Sequence, residues 1–257
     1  MVQKGVGLSP GGPDAAGIPW EVREGPPGGS GGRQRFEELE WGKGVSQIHE
    51  PIFKRPFDLL LSAAGLLLSL PLWGLFALLI WLEDGSPIFF RQQRIGRNGR
   101  MFTSLKFRSM IANAGHVERQ ATKDDQRITR VGRVLRKTAM DELPQIWNIF
   151  LGDMSFVGPR SQPEKELVRV KGEERELYIR DVPGFAVRQL VRPGLTGVTQ
   201  IFAPREVPHR YKFKYDLIYV RRVMRNQGFM GSVRMFFYDF GLILRSTWIT
   251  VLGRWEV

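Results

Sequence analysis

Residues 59–82 read LLLSAAGLLLSLPLWGLFALLIWL and contain no charged side chain. As one straight α-helix, these 24 residues would be about 36 Å long, and the hydrocarbon core of a bilayer is about 30 Å thick. The plain interpretation is a transmembrane helix, with a helix buried in a soluble core as an alternative. The rest of the chain must be arranged around this apolar segment.

Two features of the segment favour a third arrangement, a hairpin that enters and leaves the membrane on the same face. Pro71 stands in the middle, beside Ser69, and proline kinks a helix because it removes a backbone donor and clashes with the preceding turn. A spanning helix should also carry its positive charges mainly on one side. Here both flanks are basic, with Lys54 and Arg55 before the segment and Arg91, Arg94, Arg97 and Arg100 after it.

The composition restricts the chemistry. The chain of 257 residues is 42% apolar, which is enough for a packed core. It has no cysteine, which excludes disulfides, thiolate metal sites and cysteine nucleophiles. With only three histidines, a catalytic group is expected to be a carboxylate, and a metal is expected to be a hard, oxygen-binding ion. The formal charge of +12 predicts a polyanionic partner: nucleic acid, a phosphorylated small molecule or an anionic membrane.

The N-terminal stretch differs in composition from everything that follows. Residues 1–44 hold 12 of the 29 glycines and 5 of the 16 prolines. Such a stretch buries too little apolar surface to offset the entropy of ordering, so we predict a flexible tail. It lacks the basic start and apolar run of a secretory signal, and nothing in it indicates export.

Several local patterns predict secondary structure after the apolar segment. Residues 88–90 and 101–107 are typical of two strands, joined by the turn-rich residues 96–99. Residues 164–176, with mixed charges, are a helix candidate. One basic run has an arginine at every third residue, and a helix would place these arginines along a single stripe. The stripe is either a solvated face or a surface that binds lipid headgroups and phosphates. The run contains Arg127, Arg130, Arg133 and Arg136.

The C-terminal region mixes aromatic and basic residues at helical spacing. The aromatic residues include Phe229, Phe236, Phe237, Phe240 and Trp248, among arginines such as Arg234 and Arg245. This pattern suits an amphipathic helix at a membrane interface, and it equally suits a core helix with one solvated face.

Residues 141–160 read DELPQIWNIFLGDMSFVGPR and offer the most chemistry. Asp141 is a good helix N-cap, Pro144 is tolerated in a first turn, and Gly152 is a stop signal. An acidic cap on an ordinary amphipathic helix would explain the pattern without any function. The functional alternative is a phosphate site, in which one of the adjacent carboxylates attacks phosphorus while the other holds Mg²⁺.

Blocks in a fixed order then relate the chain to a known family. They are KRPFD (residues 54–58), SLP (69–71), GSPIFFRQQRIG (85–96), KFRSM (106–110), DELPQ (141–145), GDMSFVGPR (152–160) and RPGLTG (192–197). Over roughly residues 51–250, the chain resembles the bacterial sugar transferases that act on polyprenyl phosphate, the monotopic phosphoglycosyl transferases.

The resemblance implies a mechanism and assigns roles to residues. Asp141 would be the nucleophile that attacks the β-phosphate of a UDP-sugar, releasing UMP and leaving an aspartyl-phosphosugar intermediate. Polyprenyl phosphate would then accept the sugar phosphate, giving a polyprenyl-diphosphate-sugar. Glu142 would be catalytic and would bind the cofactor Mg²⁺, with a late aspartate, Asp239, as a second metal ligand. The substrate-binding residues would be Lys106, Arg136, Pro159 and Arg160.

The resemblance also implies an architecture. We predict an α+β, mostly helical fold: a tail over residues 1–50, a re-entrant membrane helix over 51–84 broken at Ser69 and Pro71, and a small catalytic domain over 85–257 with short strands and interfacial helices. The protein would lie on the cytoplasmic face of the bacterial inner membrane and contact lipid headgroups, and a homodimer is left open. The competing interpretations are a membrane-tethered nucleic-acid binder, which no recognised motif supports, and a scaffold without catalysis.

Overall fold

The computed structural model of the chain describes residues 48–112, 125–170, 173–204 and 207–252. Almost all of the predicted flexible tail, residues 1–50, lies outside these ranges. The helices are α1 (Lys54–Asp84), α2 (Arg130–Lys137), α3 (Gln145–Leu151), α4 (Phe185–Arg188), α5 (Val198–Phe202), α6 (His209–Arg225) and α7 (Gly228–Val251). The strands are β1 (Phe89–Ile95), β2 (Met101–Phe107), β3 (Ser155–Val157), β4 (Lys165–Val170), β5 (Glu173–Tyr178) and β6 (Gly194–Thr196).

Helix α1 contains the whole apolar segment and is long and apolar enough to cross a membrane. Only 11% of its most apolar window is buried against the rest of the chain, unlike a helix in a soluble core. Its middle is the most exposed part, with Leu68 82% exposed. The helix continues through Pro71, and the Ser69 hydroxyl donates to the Leu66 carbonyl. Soluble monomers rarely expose so many neighbouring apolar side chains.

Both ends of α1 are fastened to the same folded body. At the start, Arg55 donates to the carbonyls of Ile149 and Phe150, at 2.7 and 2.8 Å, and so caps the C-terminal end of α3. At the other end, the Glu83 carboxylate accepts the backbone N–H groups of Arg130 and Val131, at 2.6 and 2.9 Å. The first turn of α2 is thereby capped by the last turn of α1.

The described residues form three small sheets, each of two strands. Strands β1 and β2 pair antiparallel, with Phe89 opposite Phe107, which confirms the two predicted strands and their turn. Strands β3 and β6 pair in parallel. Strands β4 and β5 form an antiparallel hairpin. The prediction of a helix over residues 164–176 is therefore wrong: the segment contributes two strands, and Lys165 pairs with Glu176 across them.

The largest core lies where α6 and α7 pack on β3 and α5. Its buried members include Val157, Val198, Tyr219, Val223 and Met235. A second core joins the end of α1 to the β1–β2 hairpin and α2 through Ile80, Phe107 and Leu135. An α+β, mostly helical fold with short strands is thus confirmed. The arginine stripe is helical from Arg130 onward, and Arg127 instead pairs with Asp125 before the helix.

Candidate active site

The acidic pair sits in a short turn between α2 and α3. Residues Met140–Glu142 form one 3₁₀ turn, which follows Ala139 in the left-handed conformation, with φ of 57°. Helix α3 begins only at Gln145, after Pro144, so the prediction that Asp141 caps this helix is wrong. Because the 3₁₀ turn precedes the helix, both carboxylates lie before the N-terminus of α3. Gly152, with φ of 97°, ends the helix as predicted.

Glu142 binds two of the predicted substrate-binding residues directly. Its Oε1 accepts a hydrogen bond from Lys106 Nζ at 2.6 Å and from Arg160 at 2.8 Å. The Glu142 and Lys106 side chains are 19% and 18% exposed. Burial alone would raise the pKa of Glu142, but the charges of Arg160 and Lys106 outweigh it and hold that pKa well below its usual range. Glu142 is therefore ionised at neutral pH.

Asp141 has a different environment from its neighbour. Its side chain is half-buried, and it accepts no hydrogen bond from the residues that the structure describes. Burial raises the pKa of Asp141, and the positive charge of Lys106 offsets this only partly. An ionised carboxylate without a donor is poorly stabilised, and this favours nucleophilic attack on an electrophile that replaces the missing contacts.

Arg136 faces this carboxylate from α2. Its Nε donates to the Ser109 hydroxyl at 2.8 Å, which fixes the guanidinium plane. Within the described part of the chain, its two terminal nitrogens have no hydrogen-bond partner, although Arg136 and Asp141 lie within range of each other's charge. A guanidinium with two free nitrogens is suited to bidentate contact with a phosphate.

Arg160 reaches Glu142 from a loop that two glycines make compact. Gly158 and Gly194 come so close that a Cβ on Gly194 would lie 2.1 Å from Gly158 N. The Gly194 N–H donates to the Pro159 carbonyl at 2.8 Å. The Pro159 carbonyl thus helps to hold this loop in place. Residues 192–197 have a structural role, because they contain strand β6, which fixes the loop that carries Arg160.

We expect Gly194→Ala to lower the free energy of unfolding by about 1–3 kcal/mol, because the added methyl group must displace the Gly158 backbone. Thermal denaturation of the purified protein measures this. Gly241→Ala is the matched control, since a Cβ at Gly241 meets nothing within 4 Å. An equal melting temperature for the two variants would refute the close approach of the two loops.

Asp239 lies in another cluster. Its Oδ2 forms a buried ion pair with Lys54 Nζ at 2.8 Å and accepts from the Tyr219 hydroxyl at 3.2 Å. No hydrogen-bond partner is shared between Asp239 and Glu142 among the described residues. The charge partner of Asp239 is Lys54, whereas the charge partners of Glu142 are Lys106 and Arg160, so no described contact joins the two predicted metal ligands.

The acidic pair itself fits Mg²⁺. Both of Glu142's hydrogen bonds go to Oε1, and Oε2 accepts none from the described residues. In the same part of the chain, no group of three or more acidic or histidine side chains could hold a metal ion. Mg²⁺ typically takes one or two carboxylates and completes its shell with substrate phosphates and water. Asp141 and Glu142 match that pattern.

Two elements of the site gave no recognisable signal in the sequence. Asn148 accepts from the Leu105 N–H at 3.0 Å and donates to the Thr103 carbonyl at 2.8 Å, so it fastens α3 to the edge of β2 behind Lys106. The buried pair Arg188–Asp216 lies behind Arg160. A single polar residue within an apolar helix, such as Asn148, is the only trace that such a contact leaves in a sequence.

Comparison with known proteins identifies the class to which this fold and site belong. The family model of the bacterial sugar transferases matches residues 49–246. The chain belongs to the bacterial sugar transferase family, which confirms the resemblance carried by its motifs.

Particular relatives are phosphotransferases and exopolysaccharide proteins. The UDP-N-acetylgalactosamine-undecaprenyl-phosphate N-acetylgalactosaminephosphotransferase of Aeromonas hydrophila is 36% identical over 197 residues, covering 74% of this chain and 45% of that protein. The exopolysaccharide production protein ExoY of Rhizobium meliloti (strain 1021) is 40% identical over 184 residues, covering 65% of this chain and 76% of that protein. The UDP-galactose-lipid carrier transferase of Erwinia amylovora is 32% identical, over 75% of this chain and 40% of that protein. The chain therefore spans less than half the length of the Aeromonas and Erwinia relatives.

Proposed function

We propose that this protein transfers a sugar-1-phosphate from a UDP-sugar to undecaprenyl or a similar polyprenyl phosphate. The observation that carries the proposal is the Asp141 carboxylate, which has no hydrogen-bond donor among the described residues and is surrounded by the charges of Lys106, Arg136 and Arg160. Three cations around one reactive carboxylate suit an anionic diphosphate electrophile. Relatives are named as undecaprenyl-phosphate sugar phosphotransferases, which supports the same substrate classes.

The reaction has two displacement steps. A carboxylate oxygen of Asp141 attacks the β-phosphorus of the UDP-sugar, and the bond from that phosphorus to the bridging oxygen breaks. UMP leaves with the bridging oxygen, and the sugar phosphate stays on Asp141 as an acyl phosphate. An oxygen of polyprenyl phosphate then attacks the same phosphorus, which releases the Asp141 carboxylate and gives polyprenyl-diphosphate-sugar.

The basic side chains supply the charge that both steps need. Arg136 presents to the phosphate under attack two guanidinium nitrogens that have no partner among the described residues, and Arg160 and Lys106 both donate to Glu142 Oε1. Phosphoryl transfer depends mainly on positioning and on charge stabilisation of this kind. Mg²⁺, held by Glu142 and Asp141 with the substrate phosphates, would neutralise the charge of the diphosphate and of the departing phosphate.

We infer that α1 is a re-entrant helix, bent at Pro71, that holds this site at the cytoplasmic face of the inner membrane. Both ends of α1 are bonded to the same folded body, through Arg55 and Glu83, whereas its middle is exposed. Pro71 leaves the Leu67 carbonyl without its usual helical donor, which permits a bend there. On α7, Met235 faces the core while Phe237 and Trp248 are exposed, an arrangement suited to headgroups at the interface.

The proposal is tested by UMP release from a panel of UDP-hexoses and UDP-N-acetylhexosamines, with undecaprenyl phosphate in detergent or nanodiscs. Turnover that requires both substrates is the expected result. No UMP release with any donor would remove the proposed function, and salt-sensitive binding to an oligonucleotide would then favour a nucleic-acid partner. Scanning cysteine substitutions along α1 with a membrane-impermeant label separates the topologies, because a hairpin exposes residues before 59 and after 82 on one side only.

We expect Glu142→Gln to reduce kcat about 10²–10³-fold, because a charged group that organises Lys106 and Arg160 is lost. The apparent affinity for Mg²⁺ should also fall, and a titration of UMP release against Mg²⁺ measures both effects. Glu176→Gln, in an exposed surface pair, should leave the titration unchanged. A wild-type Mg²⁺ titration in Glu142→Gln would count against Glu142 as a metal ligand.

The pH dependence should report the ionisation of Asp141. Burial raises the pKa of this group above its ordinary value of 3.8, so kcat/KM should fall at low pH with an apparent pKa above that value. Lys106 lowers the pKa of Asp141, so Lys106→Met should move the acidic limb to higher pH. Lys137→Met, an exposed lysine at the end of α2, is the control and should leave the limb in place. A limb that Lys106→Met does not move would contradict the assignment.

A further inference from the structure

A second ion pair is buried close to the active site and has no part in the proposed chemistry. Arg188, the last residue of α4, bonds Asp216 of α6 through Nε at 3.0 Å, and the two side chains are 1% and 2% exposed. The Thr199 hydroxyl donates to the other carboxylate oxygen of Asp216 at 2.5 Å. The Arg188 guanidinium also lies over the Phe213 ring, at 4.2 Å from its centroid.

This pair contacts the backbone of Arg160 through its arginine. The Arg188 guanidinium donates to the Arg160 carbonyl, and Asp216 holds that guanidinium through its Nε. Arg160 and Gly194 also form a parallel β-bridge. This bridge does not use the N–H or the carbonyl of Arg160, because the Gly194 N–H donates to the carbonyl of the preceding residue, Pro159. The Arg160 carbonyl therefore points away from β6, and Arg188 is its side-chain donor among the described residues.

We propose that Arg188 and Asp216 are positioning residues that fix the Arg160 peptide, so that its guanidinium reaches both Glu142 and the nucleotide diphosphate. This inference rests on the proposed function. Arg160 is the most exposed member of its ion pair, at 42% against 19% for Glu142, and a long side chain on a mobile loop would sample many positions. A fixed peptide removes that freedom before the substrate binds.

The chemistry of the pair favours positioning over simple stability. Apolar side chains of similar volume often replace a buried ion pair without loss of stability, because desolvation of the two charges opposes their attraction. Here Arg188 also donates to the backbone carbonyl of Arg160, which an apolar replacement cannot do. The pair is thus matched to the loop that carries Arg160 and to no other described part of the substrate site.

The test is a double-mutant cycle between the pair and Arg160, measured as kcat/KM for UMP release. Asp216→Asn should lower kcat/KM about 10–100-fold in the wild-type background, and Arg160→Gln should lower it about 10²-fold. In the Arg160→Gln background, Asp216→Asn should have almost no further effect, because the residue that it positions is already gone.

The outcomes are distinguishable from each other and from failure of the proposed function. An equal fold-loss in both backgrounds would overturn the inference, because Asp216 would then act independently of Arg160. Thr199→Val, which removes only the hydroxyl donor to Asp216, repeats the cycle if Asp216→Asn does not fold, and the same non-additivity is expected. If the wild-type protein released no UMP from any donor, the proposed function would fail, and this inference with it.

Discussion

We expect Asp141→Asn to reduce UMP release at least about 10³-fold while the protein stays folded. The amide has nearly the shape of the carboxylate but cannot form the acyl phosphate, so both displacement steps are lost. The measurement is UMP release with a saturating UDP-sugar and undecaprenyl phosphate. Asp181→Asn is the matched control, because Asp181 is exposed in the 3₁₀ turn after β5 and should retain full activity.

The same substitution should raise the melting temperature at neutral pH. Because burial holds the folded-state pKa of Asp141 above its ordinary value, its ionised form is less stable in the folded chain than in the unfolded chain. The resulting destabilisation is absent below the unfolded pKa and fully present once the pH exceeds the folded pKa. Asn removes it. An inactive Asp141→Asn protein with a lowered melting temperature would indicate a structural role instead of catalysis.

The second large effect is expected at the start of α1. Lys54→Met should lower the free energy of unfolding by about 3–5 kcal/mol, because it leaves Asp239 buried without its counter-charge. Lys54 also donates to the Val157 carbonyl at 2.8 Å, so the substitution removes a direct bond between α1 and β3. For a chain of this size, the melting temperature should fall by about 6–20 °C.

The experiment also decides between the two roles of Asp239. Thermal denaturation in detergent is measured with and without Mg²⁺, using Lys165→Met as the control, since Lys165 is 50% exposed. In our account, Lys54→Met loses stability in both conditions and Lys165→Met in neither. If Lys54→Met instead kept its melting temperature and changed only the response to Mg²⁺, Asp239 would be a metal ligand.

The sequence predicts the elements whose signals are local. An uncharged run of helical length identifies α1, and two aromatic strands around a glycine-rich turn identify β1 and β2. The charges of residues 164–176 predicted the wrong element because a hairpin and a helix both tolerate mixed charges, and pairing across strands is not encoded in spacing. The prediction that Asp141 caps α3 was wrong for a related reason. Pro144 permits either an N-cap at Asp141 or a preceding 3₁₀ turn, and packing decides which of the two forms.

The site was predictable where its residues lie in the recognised motifs and unpredictable where its contacts come from residues outside them. The motifs around Lys106, Glu142 and Arg160 named three side chains that the fold does bring into contact. The late aspartate, Asp239, pairs with Lys54 from the other end of the chain, 185 residues away. Arg188 and Asp216 meet only through the packing of α4 on α6. Contacts of this kind require the three-dimensional arrangement, because no periodicity in the chain relates their members.

Covalent capture tests the central claim most directly. The wild-type protein is incubated with each UDP-sugar and Mg²⁺ in the absence of polyprenyl phosphate, quenched, and analysed by intact mass and peptide mapping. We predict a mass increase equal to one sugar phosphate, located on Asp141, absent from Asp141→Asn, and removed when undecaprenyl phosphate is added. UMP release that proceeds only with both substrates present, without any adduct on Asp141 for any active donor, would contradict it.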